Sequence, residues 1–262
     1  MAPGTLPLSV SIISLNEEVN LRRCLESLRG IAAEIIVVDS GSKDGTQAIA
    51  EEFGAKFVFQ KWLGHRDQKN VALQLCTRPW VLALDCDEAL SADLHASILR
   101  FFETPDAQRA DAAWMNRRTW FMGQWITHGD WYPDRKLRVF RRQLGKWGGS
   151  PEHDRVEMEG EIRSVRLDGD LLHYSFRDTN HFLAKQAGYA DVFLQRELDS
   201  GKAFSWVSAL SRPFWRFFRA YVLRAGFRDG FPGFWIAIAT AFFTFQRYSR
   251  TFEHQNANNV DI

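Results

Sequence analysis

Four short apolar runs, Leu8–Ser14, Glu34–Val38, Lys56–Phe59 and Trp80–Leu84, alternate with amphipathic segments between Leu8 and Leu99. A strand covered on both faces reads as a continuous apolar run, and the helix that crosses to the next parallel strand needs only one apolar stripe. The alternation therefore predicts an α/β fold built on a mostly parallel central sheet flanked by helices. Asn20–Leu28 is read as a helix that turns Leu21, Cys24, Leu25 and Leu28 to one side. Asp44-Gly45-Thr46 closes a turn and opens a helix through Phe53, and Asp67–Leu75 and Ala92–Phe102 are further helices. From Asp111 to Tyr174 the texture changes to strands and loops rich in Trp, Arg and Asp, expected to form the second wall of a cleft.

With 262 residues, 45% of them hydrophobic, the chain can bury a sizeable core. Its formal net charge of +1 gives no long-range field favouring nucleic acid, so any electrostatic function has to be local. No nucleic-acid partner is expected. Cys24, Cys76 and Cys86 have neither paired clusters nor CxxC spacing, which argues against a disulfide framework and against structural zinc. The start, Met1-Ala-Pro-Gly-Thr-Leu-Pro7, has neither the basic nor the apolar region of a secretory signal. A reducing, cytoplasmic setting is the expectation.

The composition shifts beyond Ser200. Thr179–Ser200 reads as an amphipathic helix, a buttress or lid for the core. After it Lys202, Arg212, Arg216, Arg219, Arg224, Arg228, Arg247 and Arg250 are interleaved with Trp206, Phe214, Trp215, Phe217, Phe218, Tyr221 and Phe227, with Asp229 among them. Basic residues alternating with bulky aromatics describe a helix lying among lipid headgroups. Phe231–Phe245 is strongly apolar but interrupted by Pro232 and Gly233 and too short to span hydrocarbon, and is read as an interfacial or re-entrant hairpin. The expected organisation is an α/β domain over 1–200 and a basic, aromatic, helical membrane-associated region over 201–262, with an anionic membrane surface as partner. A helical subdomain packing on its own core is the alternative.

Four polar segments fall just beyond apolar runs, where an open α/β sheet places its ligand. Ser14-Leu-Asn16-Glu17-Glu18 closes the first strand; Asn16 and Glu17 read either as a helix cap or as donor contacts. Asp39 follows Ile35-Ile-Val-Val38 directly, and turn chemistry, which explains Gly41, Ser42 and Asp44, does not explain an acid there; a nucleoside contact does. Gly64-His-Arg66-Asp-Gln-Lys69-Asn70 places cations where phosphate oxygens could meet free helix amides, or forms a solvated basic turn. Val81-Leu-Ala-Leu-Asp85-Cys-Asp87-Glu88 ends a buried run in two carboxylates. A divalent cation, Mg or Mn, chelated to a diphosphate is the economical reason to keep both ionised, with Asp85 and Asp87 as its ligands.

Val10-Ser-Ile-Ile-Ser-Leu-Asn16-Glu17-Glu18, Ile36-Val-Val-Asp39-Ser-Gly-Ser-x-Asp44-Gly-Thr46 and Leu84-Asp85-x-Asp87-Glu88 together resemble the family 2 glycosyltransferases with the GT-A fold. Many members carry two adjacent acids after the second strand; here the second is Ser40. Trp131-Tyr-Pro-Asp134-Arg-Lys-Leu-Arg138-Val-Phe140-Arg141-Arg142, Pro151-Glu152-His153, Arg212–Tyr221 and Gly226–Gly230 resemble the bacterial subgroup of lipopolysaccharide inner-core β-1,4-glucosyltransferases. The resemblance implies an inverting transfer from a UDP-sugar, glucose above all, to a lipid-linked glycan acceptor at the cytoplasmic face of the bacterial inner membrane, with a divalent metal on the diphosphate. Asp39, Asn16, Glu17, Lys69 and Asp85 would then line the donor site. Inversion needs a base opposite the departing phosphate, and Asp134, beside aromatics able to stack on a sugar, is favoured over Asp130, Glu152 and His153. Each of these also has an ordinary ion-pair reading with nearby arginines. A polyprenyl-phosphate sugar transferase is the rival enzyme and a non-catalytic membrane scaffold the rival of another class.

Overall fold

The computed structural model describes residues 6–150, 153–185 and 204–256, which form two compact units. Of the described residues, the first unit comprises those from 6 to 118 and from 134 to 174, the second those from 119 to 133 and from 175 to 256. The boundary expected at residue 200 is thus drawn differently: the chain enters the second unit at Ser175, and Thr119–Pro133 belongs to that unit too. The reason is packing, because Phe121 and Ile126 are buried with Phe182, Ile236 and Ala239 in one aromatic core.

In the first unit, β1 (Leu6–Ser14), β2 (Ala32–Asp39), β3 (Lys56–Phe59) and β4 (Trp80–Asp85) pair in parallel in the order β3-β2-β1-β4, joined by α1 (Glu18–Ser27), α2 (Thr46–Glu52) and α3 (His65–Leu75). These are the elements the apolar runs predict, and the strand alternation divides them cleanly. Leu8, Val10 and Ile12 of β1 and Trp80, Leu82 and Leu84 of β4 face one layer with Leu21, Cys24 and Leu25 of α1, whereas Val81 and Ala83 face the other with Ala72 and Leu73 of α3. The sheet then turns antiparallel: after β5 (Glu88–Leu90) and α4 (Ala92–Glu103), β6 (Ala112–Phe121) and β8 (Asp134–Arg141) extend it beyond β4, followed by β11 (Ser164–His173) and β5. β9 (Gly145–Ser150) and β10 (His153–Met158) form a separate antiparallel hairpin, and β7 (Gln124–Trp125), in the second unit, pairs with the end of β6. The fold is the expected α/β class, with parallel strands in one half of the sheet and antiparallel strands in the other.

In the second unit residues 179–185 are helical, α5, and the remainder of the helix expected to Ser200 lies outside the described residues. α6 (Trp206–Phe218) runs into a π-turn, Arg219–Leu223, then a short 3-10 turn, Gly226–Asp229, and α7 (Gly230–Asn256). The hairpin expected at Phe231–Phe245 is therefore a single helix. Pro232 sits in its first turn, where the missing N–H would have no intrahelical partner anyway, so the proline starts the helix rather than breaking it. Gly233 is required there: a Cβ would lie 1.9 Å from the Gly226 carbonyl oxygen. Among the described residues no helix is long and apolar enough to cross a membrane.

Candidate active site

The loops after β1 and β2 are tied together before any ligand is considered. Asn16, at φ 55, is not a cap: its side-chain oxygen accepts from the Lys43 amide (2.8 Å) and its own amide donates to Ser42 Oγ (2.7 Å). The first amides of α1 are capped from the other loop, Glu17 N–H donating to Thr46 Oγ1 (2.9 Å) and Glu18 N–H to Asp44 (3.2 Å), while Glu18 accepts from the Gly45 amide (2.8 Å). Asp39 is only 1% exposed. Its Oδ1 accepts from the Gly41 and Ser42 amides (both 2.7 Å), and its Oδ2 from the Ser14 and Ser42 hydroxyls. The acid that turn chemistry did not seem to need is thus the anchor of that turn. Glu17 holds the Asn20 side chain (2.8 Å).

At the end of β4 the structure assembles a run of alternating charges. Lys69 is not a solvated cation: buried on α3, it lies 2.6 Å from Asp85 and 2.7 Å from Asp154 of β10, above the Trp147 ring. Asn70 docks the hairpin beside it, donating to the Trp147 carbonyl and accepting from the Trp147 amide, both at 3.0 Å. The other Asp85 oxygen meets Arg138 of β8 at 3.0 Å. Arg138 also binds Glu88 (2.7 Å), which is wholly buried and accepts in addition from the Asp85 amide (3.0 Å) and Arg117 (3.3 Å). Arg117 continues to Asp134 (2.7 Å), and Lys136 closes the run at 3.1 Å from Asp134.

These neighbours set the protonation of the run. Burial works against ionising Asp85, but Lys69 and Arg138 outweigh it and hold the carboxyl well below its usual range. Burial likewise opposes the Lys69 charge, and Asp85 and Asp154 more than restore it. Asp134, the acid favoured as general base, is held below the usual range because Arg117 and Lys136 overcome its burial. In this structure Asp134 is engaged as an ion pair with Arg117 and Lys136. Asp130, in the second unit, is also an ion-pair centre, with Arg219, Arg224 and Arg216 at 2.8, 3.3 and 3.4 Å. Glu152 lies outside the described residues, as does the side chain of His153.

Asp85 and Asp87, both expected as metal ligands with Asp85 also lining the donor site, have different surroundings. Asp85 spends one oxygen on Lys69 and the other on Arg138, which leaves it poorly placed to ligate a cation. Asp87 lies just past the strand, its carboxylate 3.4 Å from Nε2 of His173, with its carbonyl accepting from the Tyr174 amide (2.9 Å). One carboxylate and one imidazole suit a divalent cation that takes its other ligands from diphosphate and water. Among the described residues no cluster of three or more such side chains is arranged to hold a metal alone. His173, and Arg117 and Arg138 as the two partners of Glu88, were given no role in the sequence, although His173 ends β11 much as Asp85 ends β4.

The pattern of "Glycosyl transferase family 2" matches residues 9–157, more than half of the chain, and covers the β1, β2 and β4 loops and the docked hairpin. The chain belongs to glycosyl transferase family 2. It is a glycosyltransferase. The lipopolysaccharide core biosynthesis glycosyltransferase LpsC of Rhizobium meliloti is 31% identical over 95% of this chain and 93% of that protein. An uncharacterized glycosyltransferase of Rickettsia typhi is 29% identical over 93% of this chain and 86% of its own length. Among solved structures, S. aureus TarS in complex with UDP-GlcNAc aligns over 94% of this chain and 84% of that one, with 14% identity and a TM-score of 0.47.

Proposed function

We propose that the protein transfers a sugar, glucose from UDP-glucose by preference, with inversion onto the lipopolysaccharide inner core or a similar lipid-linked glycan, working as a peripheral protein at the cytoplasmic face of the inner membrane. The observation that carries the reading is the pairing of Asp87 with His173 beside a run of buried cations at the end of β4. The likeness to LpsC over nearly the whole chain supports the acceptor class. Exposed Trp206, Phe214 and Trp215 on α6 and Phe231 on α7 support membrane attachment.

Asp87 and His173 would hold the cation, Mg or Mn, which supplies charge neutralisation for the departing diphosphate. Asp85 keeps Lys69 and Arg138 in place behind them, while the linked 14–18 and 39–46 loops shape the nucleoside end. We assign the base to Glu152, because Asp134 and Asp130 are each committed to arginine. Calorimetric titration with UDP-glucose tests the donor site. Binding should need added Mg or Mn in the native chain and fall at least about tenfold in Asp87→Asn and in His173→Ala. Equal binding with a chelator present would defeat the cation assignment.

A further inference from the structure

Within the second unit three guanidinium groups, from Arg216, Arg219 and Arg224, converge on the enclosed carboxylate of Asp130. Arg219 hydrogen-bonds the carboxylate at 2.8 Å while Arg216 and Arg224 approach it at 3.4 and 3.3 Å, and one carboxylate answers one of these three charges, which leaves an excess of two positive charges in the cluster. The three side chains keep 31–49% of their surface exposed, which leaves N–H donors turned to solvent, and Arg219 Nε is buried with no hydrogen-bond partner.

The backbone departs from regular helix to achieve this convergence. Arg216 and Arg219 share a helix face by their three-residue spacing. Arg224 would not share it in a continuous α-helix. The π-turn over Arg219–Leu223, in which the Arg224 amide donates to the Arg219 carbonyl at 2.9 Å, brings it back. Ala225 then takes φ 54, a conformation unfavourable for a residue with a Cβ. π-turns and such strained residues gather at functional positions, and here both serve to aim one arginine. Phe214 and Trp215, Val222 and Leu223, and Phe227 and Phe231, all exposed, lie on the same run of chain. Guanidinium groups among exposed aromatic and aliphatic side chains match the boundary between headgroups and acyl chains.

We propose that Arg216, Arg219 and Arg224 bind the phosphomonoester group of an anionic lipid. A phosphomonoester carries close to two negative charges near neutral pH, matching the excess, whereas a phosphodiester carries one. Its oxygens also accept the paired N–H groups that guanidinium presents. The site rests on the membrane attachment proposed above and gives that attachment a headgroup.

The test is co-sedimentation of the full chain with vesicles of phosphatidylcholine alone, or with phosphatidic acid or phosphatidylglycerol at matched surface charge. The variant carries Arg216→Gln and Arg224→Gln, which leaves the shorter Arg219–Asp130 pair to hold the turn, and its thermal midpoint is measured alongside. The native chain should prefer phosphatidic acid over phosphatidylglycerol. Each arginine is worth about fivefold near a membrane, so the double variant should bind phosphatidic acid about 25-fold more weakly with its midpoint unchanged. Equal binding to the two anionic lipids, native-like binding by the variant, or displacement by millimolar inorganic phosphate would overturn the proposal. Failure to bind any vesicle would overturn membrane attachment as well. UDP-glucose binding on the same samples reports the donor site separately, so neither result is mistaken for loss of the glycosyltransferase reading.

Discussion

Glu88 has no exposed surface, and its two oxygens satisfy Arg138, Arg117 and the Asp85 amide. Glu88→Gln keeps the shape but leaves Arg138, itself 4% exposed, short of a counter-charge in the interior. Removing one partner of a buried pair costs about 3–5 kcal/mol, so urea unfolding should show a loss of that size; a change under about 1 kcal/mol would mean the charge is solvated. The acids themselves were legible in the sequence because Asp39, Asp85 and Asp87 follow buried runs abruptly. Their partners were not. Lys69, Arg138 and Asp154 come from α3, β8 and β10, and no local pattern says which of many cations a carboxylate will meet. For that reason Asp85 and Asp87, both read as metal ligands, fold into different surroundings.

Among the elements, β11 depends on a glycine. Gly169 has φ +86, and a Cβ there would lie 2.3 Å from the Leu94 amide nitrogen and 2.8 Å from the Asp93 carbonyl carbon, both backbone atoms of α4. Backbone cannot move aside as a side chain can. Gly169→Ala should therefore cost more than the 1–3 kcal/mol usual for overpacking. It should also weaken cation binding, since His173 ends the same strand. Calorimetric unfolding and a Mn titration check the two effects, and an unchanged melting temperature would show that α4 is not held so closely. α1, α3 and α4 were readable because one apolar stripe repeats at helical spacing, and β1, β2 and β4 because both faces are covered. The antiparallel half is assembled from strands far apart in sequence, which local pattern does not register. At Pro232 the same residue signals either a break or a first turn, and only the packing of Gly233 on Gly226 decides between them.

For the whole molecule, the charged run makes stability depend on acid. Asp85 and Asp134 have folded pKa values below the ordinary carboxylate value of about 3.9. Below that pH the unfolded chain takes up protons that the folded chain refuses. Their contribution is thus complete above about pH 4 and is lost as the pH falls further. Urea midpoints should fall steeply below about pH 4, and Asp134→Asn should make that fall shallower; an identical slope in the variant would show that Asp134 ionises alike in both states. The central claim is metal-dependent sugar transfer onto a lipid-linked glycan, and the direct measurement is transfer from a panel of UDP-sugars to rough-type lipopolysaccharide, with Mg, Mn or chelator. The native chain should transfer from one preferred donor, only with the cation, and both Asp87→Asn and Glu152→Gln should abolish transfer while the second still binds donor. Transfer unaffected by chelator and by Asp87→Asn, or no transfer to lipopolysaccharide from any donor that binds, would contradict the account.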